Sequence, residues 1–221
     1  IMENKVEWVP LLNTEQLMTS NMVSLNIVDN QVKGIVVKNS QSSSATILRG
    51  KIAREGKQQY IDNLVKKIAD WEIKDYKIEN EDDIMKSLVE KIEIENFNHL
   101  DATTDIIYLP AIVTSEIEEN PFKSDERKFP VDFAVPVNER NILNINIPEG
   151  YAVEELPASV VYVLPDNAAQ FVYKSQQNGS VIQIFSQLKI TKTYYQPHEY
   201  KLLKEFYKNM ISKHGEQIVL K

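Results

Sequence analysis

The chain has 221 residues, of which 43% are hydrophobic and 26% charged, a balance that excludes a disordered chain and leaves enough apolar matter for a large core. Its 32 acidic against 25 basic residues give a formal charge of -7, which opposes a phosphate backbone and argues against nucleic acid as a partner. The absence of cysteine removes disulfides, thiolate metal sites and a cysteine nucleophile from this chain, and no apolar run reaches the roughly 20 residues needed to cross a bilayer.

No basic, apolar and small-residue signal opens the sequence, so the chain is expected to be soluble and already trimmed. Val23, Leu25 and Ile27 alternate with polar neighbours, Asp29-Asn30 supplies a turn, and Val32 to Val37 resumes the extended pattern, which predicts a hairpin. After Ser42-Ser43-Ser44 the period changes. A short helix near Ser44 to Arg54 is separated by Gly56 from a second, whose Tyr60, Ile61, Leu64, Val65 and Ile68 share a face. Extended patterns return at Trp71 to Ile78, Leu88 to Phe97 and Asp105 to Leu109. The charged run from Glu116 to Lys128, broken by Pro121, reads as a linker with a boundary near residue 120.

In the second half, Leu143, Ile145 and Ile147 alternate with asparagines, Pro148-Glu149-Gly150 turns the chain, and Val160 to Leu164 forms another strand. Asn178-Gly179 reads as the centre of a two-residue hairpin turn, pairing Gln177 with Ser180, Tyr173 with Ile184 and Phe171 with Ser186. That register puts Phe171, Tyr173, Ile182, Ile184 and Leu188 on one face. Pro197 opens a closing helix whose Tyr200, Leu203, Phe206, Tyr207, Met210 and Ile211 should lie on a sheet. The expected fold is α+β and mainly β: residues 15–120 a mixed β/α domain, and 121–221 an antiparallel, sandwich-like domain with a closing helix.

At the start, Glu7-Trp8-Val9-Pro10-Leu11-Leu12-Asn13-Thr14 resembles the strand that ends the catalytic core of transglutaminase-like proteins, which assigns residues 1–14 to that core. In that family the strand carries the aspartate that orients the catalytic histidine, and here the position falls on Leu12, which cannot accept an imidazole hydrogen bond. The match implies either a decayed core upstream or a chance alignment of a short motif. Asp105 to Pro110, Asn120 to Phe133, Ile147 to Tyr151, Leu156-Pro157 and Glu199 to Lys221 resemble the region that follows such a core in secreted bacterial proteins. The resemblance implies a non-catalytic accessory or interaction module, exported to the periplasm or cell surface. It also implies partnership with the upstream transglutaminase-like domain of the same chain and with a protein or glycan.

Candidate sites are sparse, and neither a metal nor a cofactor is expected. His99 stands two residues from Asp101, a spacing that suits half a metal site but more simply a turn. His198 and His214 fall at the two ends of the last helix, where a cationic His214 would favour the helix dipole. Glu118, Glu119, Asp125 and Glu126 supply the acids that an alternative, an independent glycan hydrolase, would need, but a lysine-interleaved run is normally solvated. Among the aromatics Trp8, Trp71, Tyr194 and Tyr195, the Tyr194-Tyr195 pair is the binding candidate, because neighbouring side chains there must point opposite ways.

Overall fold

Alternation builds the first hairpin as the sequence predicts: β1 (Leu17–Val28) and β2 (Gln31–Gln41) pair antiparallel from Val28↔Gln31 to Met18↔Gln41. The structure, a computed structural model, describes residues 16–28, 31–67, 71–96, 106–114, 117 and 119–221. Asp29-Asn30, Leu12, Trp8, His99 and Glu118 lie outside the described residues. Helices α1 (Ser42–Glu55) and α2 (Lys57–Lys67) follow, parted by Gly56 at φ 83°, a conformation that glycine adopts without a Cβ penalty. Next come β3 (Trp71–Glu79), β4 (Leu88–Asn96), β5 (Ile107–Pro110), β6 (Val131–Asp132), β7 (Val137–Asn146), β8 (Val153–Glu155) and β9 (Val160–Val163). The chain ends with β10 (Ala169–Asn178), β11 (Val181–Ile190), β12 (Tyr194–Tyr195), α3 (Tyr200–His214) and β13 (Gln217–Leu220). The fold is α+β and mainly β.

Eight strands form one sheet in the order β3-β4-β2-β1-β7-β11-β10-β9. Every neighbouring pair is antiparallel except β1 and β7, which run parallel from Leu17↔Val137 to Asn26↔Asn146. This seam carries the sheet across the expected boundary near residue 120. One core cluster accordingly joins Val23, Leu25 and Val36 to Leu143, Ile145, Phe171 and Leu203. The three helices share one face of the sheet. Tyr60 of α2 bonds Glu90 of β4, and His214 of α3 meets Ser186 of β11 on that same face. The short sheet β5-β13-β8 joins the same core through Ile107, Leu109, Ile218 and Leu220.

Two details differ from the sequence reading. The β10-β11 hairpin pairs Asn178 with Val181, Tyr173 with Ser186 and Phe171 with Leu188, so Gly179-Ser180 occupies the turn. Gly179 takes φ 59° at the first central position, and a turn that needs positive φ only there leaves Asn178 in the strand. The shift is two residues on β11, so the buried face is unchanged. The second difference lies in the charged run expected to be a linker, whose residues 120–124 are tied to α3. Phe122 is buried against Phe133, Tyr200 and Tyr207, Asn120 donates to the Lys204 carbonyl at 2.8 Å, and the Tyr200 hydroxyl donates to the Ser124 carbonyl at 2.8 Å.

The two outer strands are poor templates for further pairing. β3 is irregular between Ile73 and Asp75 and presents Lys74, Asp75 and Lys77, while β9 is four residues long between Pro157 and Pro165.

The seam holds a buried amide pair: Asn21, 1% exposed, donates from Nδ2 to Oδ1 of Asn141, its register partner, at 2.8 Å. Asn21→Ala leaves the Asn141 carbonyl oxygen without that donor and should cost about 1–3 kcal/mol in urea unfolding. A double-mutant cycle with Asn141→Ala should return a coupling of about 0.5–3 kcal/mol, and additive losses would show that the pair does not act as a unit.

Candidate functional site

On the helix-covered face the register aligns polar residues that interrupt otherwise apolar strands. Glu90, Lys38, Asn21, Asn141, Ser186 and Tyr173 stand in one row across β4, β2, β1, β7, β11 and β10. The adjacent row contains Ser40, Thr19 and Glu139. Glu90, Asn21, Asn141, Ser186 and Glu139 are buried, so their polar atoms must find partners within the protein.

Each end of the row is anchored by a helix. At the α1–α2 end, Tyr60 and Tyr76 donate to Glu90 Oε1 at 2.8 and 2.9 Å, and Lys38 Nζ lies 4.0 Å from Glu90 Oε2. Burial, then the Glu90 charge, pushes the Tyr76 hydroxyl pKa well above the ordinary tyrosine value, so it stays a donor. At the α3 end, Ser186 Oγ and His214 Nε2 are 2.8 Å apart, His214 stands edge-on to Phe171, and Asn141 Nδ2 donates to Glu139 Oε1 at 3.2 Å. Lys213 Nζ lies 5.2 Å from the centre of the Tyr173 ring. The buried atoms Glu90 Oε2, Asn21 Oδ1, His214 Nδ1 and Tyr173 Oη have no hydrogen-bond partner among the described residues.

Between the helical anchors, over β2, β1 and β7, the sheet floors a cleft of about 320 Å³. Its apolar lining comprises Ile47, Leu48 and Leu64 from the helices, Ile73, Ile92 and Ile94 from β3 and β4, and Val113 from the segment after β5. The sheet floor is mixed, with Thr19, Lys38, Ser40 and Glu139 beside Val36, Ile92 and Ile94, and Lys51 and Asn63 stand on the helical side. Apolar walls around a few convergent polar groups are the usual make-up of a ligand site. Glu139 is the one carboxylate in the described lining, whereas hydrolysis by paired acids needs two within reach of one substrate.

None of the described residues singled out from sequence lines the cleft. Tyr194 is 46% exposed on β12, while Tyr195 is buried, donates its hydroxyl to the Ala168 carbonyl at 3.0 Å and is pushed up to about 12 by that burial. Trp71 is buried in the core. Glu119 pairs with Lys123, Glu126 with Lys201 and Asp125 with Lys204 at the surface. His198 is exposed. His214 does end α3, but its ring turns inward to Ser186, and burial lowers its pKa to about 4, so it is neutral rather than the cation expected at a helix end. Among the described residues no group of three acidic or histidine side chains converges to hold a metal, and no helix is long and apolar enough to cross a membrane.

Sequence reasoning missed the cleft because its floor residues read as ordinary polar positions. A signal was present: Thr19 and Asn21 are in phase with Val23 and Leu25, Lys38 and Ser40 with Val32 and Val36, and Glu139 and Asn141 with Leu143 and Ile145.

Residues 105–220 match the family described as "Domain of Unknown Function with solved-structure structure (DUF3858)". No curated protein sequence shows significant similarity to the chain. A crystal structure described as a putative protease from Parabacteroides distasonis ATCC 8503 is similar over 54% of this chain, with 13% identity and a TM-score of 0.44. The chain spans 24% of that protein's length.

The buried His214 links stability to pH. Its pKa of about 4 lies below the ordinary value of 6.5, so the unfolded chain binds the extra proton first, and the stability this provides is present above pH 6.5 and lost as pH falls towards 4. Glu139 in the same pocket favours the protonated ring and neighbouring Lys213 opposes it. Urea unfolding of the wild type and of His214→Gln, compared at pH 7 and pH 4.5, should show the wild type losing up to about 3 kcal/mol more than the variant. Parallel losses in the two proteins would mean that His214 titrates normally.

Proposed function

The chain belongs to the DUF3858 family, and on that premise we propose that it is an accessory binding module of a larger protein with a transglutaminase-like core, exported to the periplasm or cell surface. Its work is to hold a polypeptide segment of the same parent in the cleft between α1–α2 and the sheet. The cleft carries this reading: a space of about 320 Å³ with apolar walls takes side chains, while Thr19, Ser40, Lys38 and Glu139 offer donors and acceptors to a backbone. The parent and its location rest on the likeness of Trp8 to Thr14 and of the stretches from Asp105 onward to that group of exported proteins. A single carboxylate in the described lining supports holding over two-acid hydrolysis.

Hydrogen exchange compares the module with and without its parent. In the full-length native protein, amides from Ser40 to Leu48 and at Val113 and Thr114 should exchange about tenfold or more slowly than in segment 1–221 expressed alone. Equal rates over these residues would sink the proposal, and slowing confined to the opposite face of the sheet would move the contact away from the cleft.

A further inference from the structure

The cleft carries different charges at its two ends. At the α1–α2 end, Lys38 Nζ lies 4.0 Å from Oε2 of the buried Glu90, whose Oε1 accepts the Tyr60 hydroxyl at 2.8 Å. Lys51 Nζ lies 5.3 Å from the centre of the Tyr60 ring, and Lys38, Lys51 and Tyr60 all line the cleft. Lys38 is thus matched by Glu90, whereas Lys51 forms no ion pair among the described residues. Glu55, one turn along α1 from Lys51, accepts the Asn63 side-chain amide at 3.4 Å. The lining carboxylate, Glu139, stands on β7, three strands from β4 and roughly 14 Å away across the sheet.

A lysine in open water needs no partner, but Lys51 is half-buried beside Ile47, Leu48 and Leu64. Whatever fills the cleft strips water from its ammonium, and a desolvated cation without an anion costs more than the neighbouring apolar contacts return. The Tyr60 face steadies the ammonium but carries no net charge. A segment apolar throughout would therefore fit the walls and leave Lys51 uncompensated. A segment with a carboxylate at that end satisfies both.

On the proposal that the cleft holds a segment of its parent protein, we infer that this segment carries an aspartate or glutamate whose carboxylate pairs with Lys51, next to apolar side chains that pack on Leu48 and Leu64. In the full-length native protein, Lys51→Glu should cut the slowing of amide exchange at Ser40 to Leu48 from about tenfold to under about twofold, while Lys51→Arg keeps it. Lys66→Glu makes the same change of charge at an exposed position of α2 outside the cleft and should also keep it, with unchanged exchange across β10 and β11 showing that the variants are folded. A second measurement needs no variant. A water-soluble carbodiimide, which condenses an amine with a touching carboxylate into an amide, should join Lys51 to an aspartate or glutamate outside residues 1–221, located by mass spectrometry. Slowing that survives Lys51→Glu, slowing lost equally in Lys66→Glu, or no amide from Lys51 except to Glu55 or Glu139 would each overturn the inference and leave the cleft occupied by a segment of other chemistry. No slowing in the wild type would remove both the segment and its carboxylate.

Discussion

The parallel pairing of β1 with β7 is the constraint on which the rest of the architecture depends. Parallel strands cannot be joined by a tight turn, so the chain must leave β1, complete a hairpin, two helices and four more strands, and return more than a hundred residues later to lie beside it. The Asn21–Asn141 bond makes that return specific. A slip of one residue would turn every inward side chain outward, and a slip of two would leave a buried amide facing an apolar neighbour. Buried polar pairs that enforce register at some cost in raw stability are a known use of such groups, and this pair sits at the midpoint of the seam.

The cleft follows from that seam. α1 packs on β1, β2 and β4 and α2 on β3, while α3 lies towards β11 and β9, with its Met210 and His214 also close to Glu139 and Asn141 of β7. The gap between the two helical groups lies over Thr19, Lys38, Ser40 and Glu139, where polar side chains enter the apolar face. Glu90 and Ser186 then anchor the two helical caps at opposite ends of one row, so the gap is held open from both sides.

Local structure was legible in the sequence wherever one period dominated. The β1–β2 hairpin, the helices on either side of Gly56 and the buried face of α3 all follow from alternation or from the helical repeat, and the inward face of β10 and β11 survived an error in the turn. What periodicity could not supply was partner choice. The alternation of β1 reads identically whether its neighbour runs parallel or antiparallel, and the side chain to which Asn21 hydrogen-bonds is 120 positions away. In the stretch 119–128 the charges describe a solvated linker, while one aromatic among them, Phe122, packs against Tyr200 and Tyr207 of α3.

The outermost strands carry a consequence for assembly. A sheet of eight strands has two open margins along which an identical sheet could add itself, the route by which β-rich proteins form fibres. At β3 an approaching strand meets an irregular ladder and charges of both signs, so a like copy faces its own lysines. At β9 it finds only four residues before proline ends the run in either direction. Growth is thus obstructed by charge and geometry at one margin and by brevity at the other, which lets a chain rich in β-branched residues be concentrated without its sheets fusing.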